Sequence, residues 1–261
     1  MTLISAHEFY KLAKWSFCPY YTICLEPDLI QENDIVFLNL DFFKQFINIL
    51  NYKPIKHKFI LIIHNSYHTF TNEHFEKLYF LTNHIYTINT NVIHPNVSCI
   101  PIGFLDNTYN TYNSHNILDD ILKKGCEKTI LLYSNFYINK NKLKRIDCLN
   151  SFINKKWLYK DQFIPIQDYY RKIYRSKYVL CPEGITMNTH RLYLCIYFNS
   201  IPIIKKTEWL NPLFLSLPII IITDWNEITE HFLEDNYEFL YKKIIQWKET
   251  NDWTNAKFWL K

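Results

Sequence analysis

Glycine is almost absent from this chain. Only Gly103, Gly125 and Gly184 occur in 261 residues. They cannot assemble G-x-G-x-x-G or G-x-x-x-x-G-K-[ST], which excludes a glycine-fingerprint dinucleotide site and a P-loop. Phosphate, if bound, must be held by helix ends and side chains. Cysteine is present without pattern: Cys18, Cys24, Cys99, Cys126, Cys148, Cys181 and Cys195 are odd in number and lack C-x-x-C spacing. That argues against a disulfide framework and a zinc site, and makes a reducing compartment, the cytoplasm, the default expectation. No run approaches the roughly 20 apolar residues of a membrane span. Residues 1–15 alternate polar and apolar too often for a signal peptide, so a soluble protein is expected. No D-x-D triplet occurs, so nothing in the sequence requires a divalent metal or another cofactor. Charge of neither sign dominates: 29 Lys and Arg face 25 Asp and Glu, a net +4. That is far from the clustered basic surface of a nucleic-acid binder.

Hydrophobic residues make up 48% and aromatics 18% of the chain, enough to bury a large core in one big domain or two small ones. Short β-branched runs alternate with helical patterns, which predicts parallel sheets covered by helices. In the first half the expected strands are 35–38, 59–63, 85–88 and 97–102, and the expected helices are 42–50 and 72–81, the latter capped by Thr71. The polar stretch from Asp106 to His115 reads as a linker. Beyond it the pattern predicts helix 117–124, strand 129–134, helix 142–153, helix 168–175 capped by Asp168, and strand 177–181. Helix 189–198, strands 201–204 and 218–222, and helix 225–233 follow.

Polar motifs collect at the carboxyl ends of these strands, where α/β sheets bind ligands. His64-Asn65-Ser66, Gly103, Asn135 and the turn from Pro182 to Arg191 all lie there. That turn opens a helix on Thr189-His190-Arg191, where free backbone N–H groups, the helix dipole and cationic side chains favour an anion. Asn135, Lys140 and Arg145 lie where the strand at 129–134 passes into its helix. His64 is a candidate general base, because an unperturbed imidazole titrates near neutrality; a strand-end histidine that only bonds the next loop is the alternative. N-cap duty alone would account for Asn188 and Thr189. Trp209 and Trp225 read as packing residues, with Asp224 and Glu227 as caps. The other histidines read as structural or surface.

The order of these motifs resembles exostosin-like glycosyltransferases of the GT-B fold. That family carries S-K-F-x-L-x-P-x-G, D-T-H-R-x-W-E, G-S-I-P-I-V-K and D-W-x-E-I-T. This chain has Ser176-Lys177, Pro182, Gly184, Thr189-His190-Arg191, Ser200-Ile201-Pro202-Ile203, Leu217-Pro218 and Asp224-Trp225-Asn226-Glu227-Ile228-Thr229. Upstream, the family's H-N-S-D, I-P-I-G and N-F-N-I-N-T-N-P-x-x-R correspond to His64-Asn65-Ser66, Ile100-Pro101-Ile102-Gly103 and Asn135 through Arg145.

The resemblance implies an α/β, GT-B-like fold of two Rossmann-like parallel-sheet halves facing a cleft. Residues 1–124 would form the acceptor side and 125–236 the nucleotide-sugar side, with 237–261 a helix packing back across the junction. The implied partners are a nucleotide-diphosphate sugar and a carbohydrate or glycoprotein acceptor. The implied donor-binding residues are Asn135, Lys140, Arg145, Gly184, Asn188, Thr189, His190 and Arg191, with His64 and Arg191 catalytic. Three departures are visible. Leu194 replaces the glutamate expected on the nucleotide ribose, Asn199 replaces the glycine before S-I-P, and Tyr67 replaces the aspartate of H-N-S-D. They motivate the alternative of a catalytically inactive relative that binds a glycan or a partner.

Overall fold

Runs such as Phe59-Ile60-Leu61-Ile62-Ile63 form strands because β-branched and aromatic side chains suit a pleated, buried surface. A computed structural model of the chain describes residues 3–53, 55–106, 114–207 and 211–261. The polar stretch 107–113 of the expected linker, and Trp209, lie outside the described residues. The chain divides into two compact units: Met1–Gly103 with Asn211–Leu213 and Trp253–Lys261, and Phe104–Leu210 with Phe214–Asp252.

The first unit contains α1 (Ala6–Tyr10), β1 (Trp15–Phe17), β2 (Ile23–Cys24), β3 (Ile35–Leu38), α2 (Phe43–Tyr52), β4 (Phe59–Ile63), α3 (Asn72–Leu78), β5 (Thr82–Thr87) and β6 (Val97–Cys99). The sheet order is β2-β1-β3-β4-β5-β6. Every pairing is parallel except that of the edge strand β2. Val36, Leu38, Leu61, Ile63 and Ile85 meet Phe43, Phe46 and Leu50 of α2 in one core. Thr71 is the N-cap of α3 as expected, its N–H donating to His74 Nδ1 at 3.1 Å.

The second unit contains α4 (Ser114–Lys124), β7 (Ile130–Ser134), α5 (Lys142–Ser151), β8 (Leu158–Lys160), α6 (Ile166–Arg175), β9 (Ser176–Leu180), α7 (His190–Tyr197), β10 (Ile201–Lys205), α8 (Pro212–Ser216), β11 (Ile220–Ile222) and α9 (Glu230–Thr250); α8 begins in the first unit's 211–213 segment. Its five strands are all parallel in the order β11-β10-β9-β7-β8. Counted from β7, that is the doubly wound order 2-1-3-4-5, whose direction of winding reverses between the first and third strands. The carboxyl ends of β7 and β9 therefore mark this unit's ligand position. Helix α4 belongs here, because Tyr197 donates to Asp119 Oδ1 at 2.6 Å.

Three expectations change. Asp168 does not cap α6: the helix starts two residues earlier after Pro165, and Asp168 sits in its first turn, paired with Arg171 at 2.9 Å. The helix expected at 225–233 is a 3-10 turn, Trp225–Glu227, followed by the separate α9. Asp224 and Glu227 cap the turn, while Thr229 Oγ1 accepts from Phe232 N and starts the helix anew. The aromatic C-terminal stretch is helical only to Thr250, with Tyr237 and Ile244 in the second core and a 3-10 turn at Ala256–Trp259. Trp225 is buried in that same core. Among the described residues no helix is long and apolar enough to cross a membrane.

Asn199, standing in for a glycine, holds φ +53, a left-handed conformation that asparagine tolerates. It also helps to close α7. Lys248 Nζ donates to Tyr197 O (2.9 Å) and Asn199 Oδ1 (2.6 Å), and Lys128 Nζ to Phe198 O (2.8 Å) and Ser200 Oγ (2.7 Å). Cations at a helix C-terminus offset its dipole. Burial pulls Lys128 down to about 7 and Lys248 down to about 8.

Two tests follow from this packing. Gly103 has φ +69, and a Cβ there would lie 2.3 Å from Ile4 O, so Gly103→Ala should lower stability by about 1–3 kcal/mol in chemical denaturation. For the lysines, the unfolded chain binds more protons than the folded one between about pH 7 and the ordinary value of 10.5, so their contribution to stability rises with pH over that window. Urea melts across it should show a shallower rise for Lys128→Met than for the wild type.

Candidate functional site

Two arginines converge at the carboxyl ends of β7 and β9. Arg145 arrives from the first turns of α5, and its side chain crosses to the β9 turn. Its Nε donates to Glu183 O at 3.0 Å and its Nη1 to Tyr137 O. Arg191, the second residue of α7, points back to β7: Nη2 donates to Asn135 O at 3.0 Å and Nε to Tyr169 Oη at 3.2 Å. Their guanidinium carbons stand 5.5 and 5.4 Å from the centre of the same Phe136 ring. Every protein partner is a neutral oxygen or a π face. Among the described residues neither arginine forms an ion pair.

Two like charges, one buried and one half-buried, are thus held together with no carboxylate. Burial, and then the charge of Arg191, pull Arg145 down to about 10, still fully charged at neutral pH. Arg191 Nη1 and the hydroxyl of Thr189, at the N-terminus of α7, are buried and have no hydrogen-bond partner. Buried polar atoms are normally satisfied, and these two are the donors that an anion at this helix end would occupy. Gly184 leaves the room: a Cβ on it would press on Arg145 Nη2 at 3.0 Å. Its carbonyl accepts from Asn141 Nδ2 at 3.0 Å, which ties the β9 turn to the start of α5.

Beside the pair lies a recess of about 210 Å³ lined by Asn135, Phe136, Tyr137, Asn139, Gln162 and Phe163. Tyr137 and Phe163 are 60% and 77% exposed, with their rings edge to face at 5.1 Å. Phe163 holds φ +56, an outlier for a bulky side chain and a conformation that clusters at ligand sites.

Of the residues expected from sequence, Asn135, Arg145, Gly184, Thr189 and Arg191 come together here. Asn188 is buried nearby on the chain, its Oδ1 accepting from Tyr193 Oη at 2.7 Å. His190 is the half-buried first residue of α7, and Lys140 is exposed on the 3-10 turn Ile138–Lys140. His64 is corrected. It belongs to the first unit, is 1% exposed, and has both ring nitrogens engaged: Nδ1 accepts from Asn65 N (2.8 Å), so Nε2 donates to Pro101 O (3.3 Å). Phe9 and Phe37 flank the ring at 5.3 and 6.4 Å. Both ring nitrogens thus have partners within the first unit, the arrangement of a strand-end histidine that bonds the next loop. Leu194 is 6% exposed within the buried run of α7, so a carboxylate in its place would be buried too.

Phe136, Tyr137, Phe163, Tyr169 and Glu183 were not singled out from sequence. Phe136 and Glu183 adjoin residues that were, whereas Tyr169 and Phe163 reach the site only through the fold.

The orphan hydroxyl yields a test with opposite signs. Thr189→Val removes a buried oxygen without a partner, so melting temperature should hold or rise. If the hydroxyl serves an anion, pyrophosphate affinity measured by calorimetry should fall by about three- to tenfold, the equivalent of one neutral hydrogen bond.

No family model matches the chain, the exostosin-like family included, and no curated protein matches it. Fourteen chains of solved structures do. One is a GtfA/B complex, at TM-score 0.46 and 11% identity over 88% of this chain and 56% of that one. Another is the pneumococcal O-GlcNAc transferase GtfA in complex with UDP and GlcNAc, at TM-score 0.39 and 11% identity over 88% of this chain and 53% of that one. This chain spans a little over half the length of either.

Proposed function

We propose that the second unit binds a nucleoside-diphosphate sugar and that the protein transfers the sugar to a hydroxyl of a glycan or glycoprotein. The supporting observation is the pair of buried Arg145 and half-buried Arg191 at the sheet's switch point, without a counter-charge and with Arg191 Nη1 and the Thr189 hydroxyl orphaned. Guanidinium groups bind phosphate oxygens in pairs of parallel hydrogen bonds. A diphosphate carries the two or more negative charges that the pair lacks. As the sugar–phosphate bond breaks, charge grows on the leaving diphosphate, and fixed donors aimed at it stabilise the transition state. On this reading the guanidinium pair performs the neutralisation, so transfer proceeds without a divalent metal. The recess under Tyr137 and Phe163 suits a planar base, since an exposed ring gains about 1–3 kcal/mol from base stacking.

The engagement of both His64 nitrogens favours a second reading, in which the nucleotide site is kept and transfer is lost. Calorimetry and activity separate the two. The wild type should bind UDP or GDP, and Arg191→Met should weaken that binding by about tenfold to a hundredfold, the value of a charged hydrogen bond. Turnover of a panel of UDP-, GDP- and CMP-sugars would establish the transferase, and binding without turnover would establish the second reading. Nucleotide affinity indifferent to Arg191→Met would remove both.

A further inference from the structure

A second depression adjoins the arginine pair. It holds about 690 Å³ and is lined by Lys144, Asp147, Glu183, Lys205, Lys206 and Thr207, together with Pro182 and Trp225. It shares residues with the anion site: Lys144 precedes Arg145, and the Glu183 carbonyl receives Arg145 Nε at 3.0 Å. Its lining mixes charges that compensate each other. Lys144 pairs with Glu183 Oε2, and Lys205 lies 2.8 Å from Asp147 Oδ2 and 3.8 Å from Asp224 Oδ2. A groove that offers both donors and acceptors, with little net charge, suits a polyhydroxylated ligand better than a second anion.

One acceptor stands out. Glu183 Oε1 receives no hydrogen bond from any described residue, while Oε2 is held by Lys144. Its side chain is 18% exposed, against 54% for Asp147. The carboxylate is therefore mostly shielded and half used. A bare carboxylate beside a diphosphate would repel it, and Lys144 cancels that charge. Helix α7 offers no alternative, because Leu194 is buried and apolar. We propose that Glu183, clamped by Lys144, accepts hydrogen bonds from a vicinal diol of the ligand whose diphosphate lies on Arg145 and Arg191. The proposal rests on the diphosphate reading of that pair. A vicinal diol occurs in a ribose and in a hexose, and the experiment distinguishes them.

Calorimetry would measure pyrophosphate, UDP, 2′-deoxy-UDP and UDP-glucose against the wild type, Glu183→Gln and Lys144→Met. Glutamine keeps the size of the side chain and removes the charge, and melting temperature checks that the fold is intact. Pyrophosphate affinity should be unchanged or slightly tighter in Glu183→Gln. If the diol is the ribose, UDP should weaken about tenfold or more in that variant, while 2′-deoxy-UDP, already weak with the wild type, should not change. If the diol belongs to the sugar, UDP should be indifferent and UDP-glucose should weaken by the same factor. Lys144→Met should weaken pyrophosphate and every nucleotide alike, since it leaves the carboxylate bare beside the diphosphate. All three nucleotides bound alike by the wild type and Glu183→Gln would overturn the diol assignment and leave the diphosphate reading standing. A wild-type protein that binds neither pyrophosphate nor UDP would overturn both.

Discussion

The second unit is organised around one electrostatic problem, two guanidinium groups placed over a single phenyl ring with no carboxylate to neutralise them. Burying a charge without a partner is costly, and like charges at short range add to that cost. The surrounding structure offsets it with neutral dipoles. The carbonyls of Asn135, Tyr137 and Glu183 and the phenol of Tyr169 each take one N–H, and Phe136 offers its ring to both cations. Three successive residues of the β7 loop, Asn135, Phe136 and Tyr137, are thereby committed to holding charge. Such an arrangement is less stable than a neutral one and is complementary to an anion, the combination expected of a site that spends stability on binding.

The topology brings the pair together. In the order β11-β10-β9-β7-β8, the chain leaves β7 towards one edge and returns at β9 to build towards the other. The loops after these two strands diverge and leave a gap at their carboxyl ends. Arg145 enters it from α5 and Arg191 from α7, so neither helix supplies the site alone. Helix α7 is fixed at its other end by Lys128 and Lys248. Lysines at its C-terminus are favourable against the dipole to the extent that they are charged, and Arg191 at its N-terminus is unfavourable.

The alternation of strands and helices was legible because the strands are β-branched runs with helical periods between them. The strands that escaped notice, β1, β2 and β8, are two or three residues long, as in Trp15-Ser16-Phe17 and Leu158-Tyr159-Lys160, too short for a period to show. Asp168 looked like a cap because acidic residues favour first turns as well as N-caps, and composition does not distinguish the two. The arginines were legible as cations at strand-end turns. Their lack of counter-ions was not, since only the fold shows that no carboxylate reaches them. The partners of His64 were hidden for the same reason. A polar residue at the end of a strand looks available until the carbonyl of Pro101, distant in sequence, is seen to occupy it.

Among the described residues five other than glycine adopt left-handed backbone, and four of them are asparagine: Asn33, Asn65, Asn154 and Asn199. In a chain with three glycines, asparagine has taken over the work of reversing the backbone. Its side chain restricts the unfolded chain more than glycine does, so these turns form with a smaller loss of disorder. The fifth residue, Phe163, has no such aptitude for the conformation. Its presence there sets this turn apart from the four asparagine turns: strained backbone here carries an exposed ring that stands edge to face with Tyr137 at the recess.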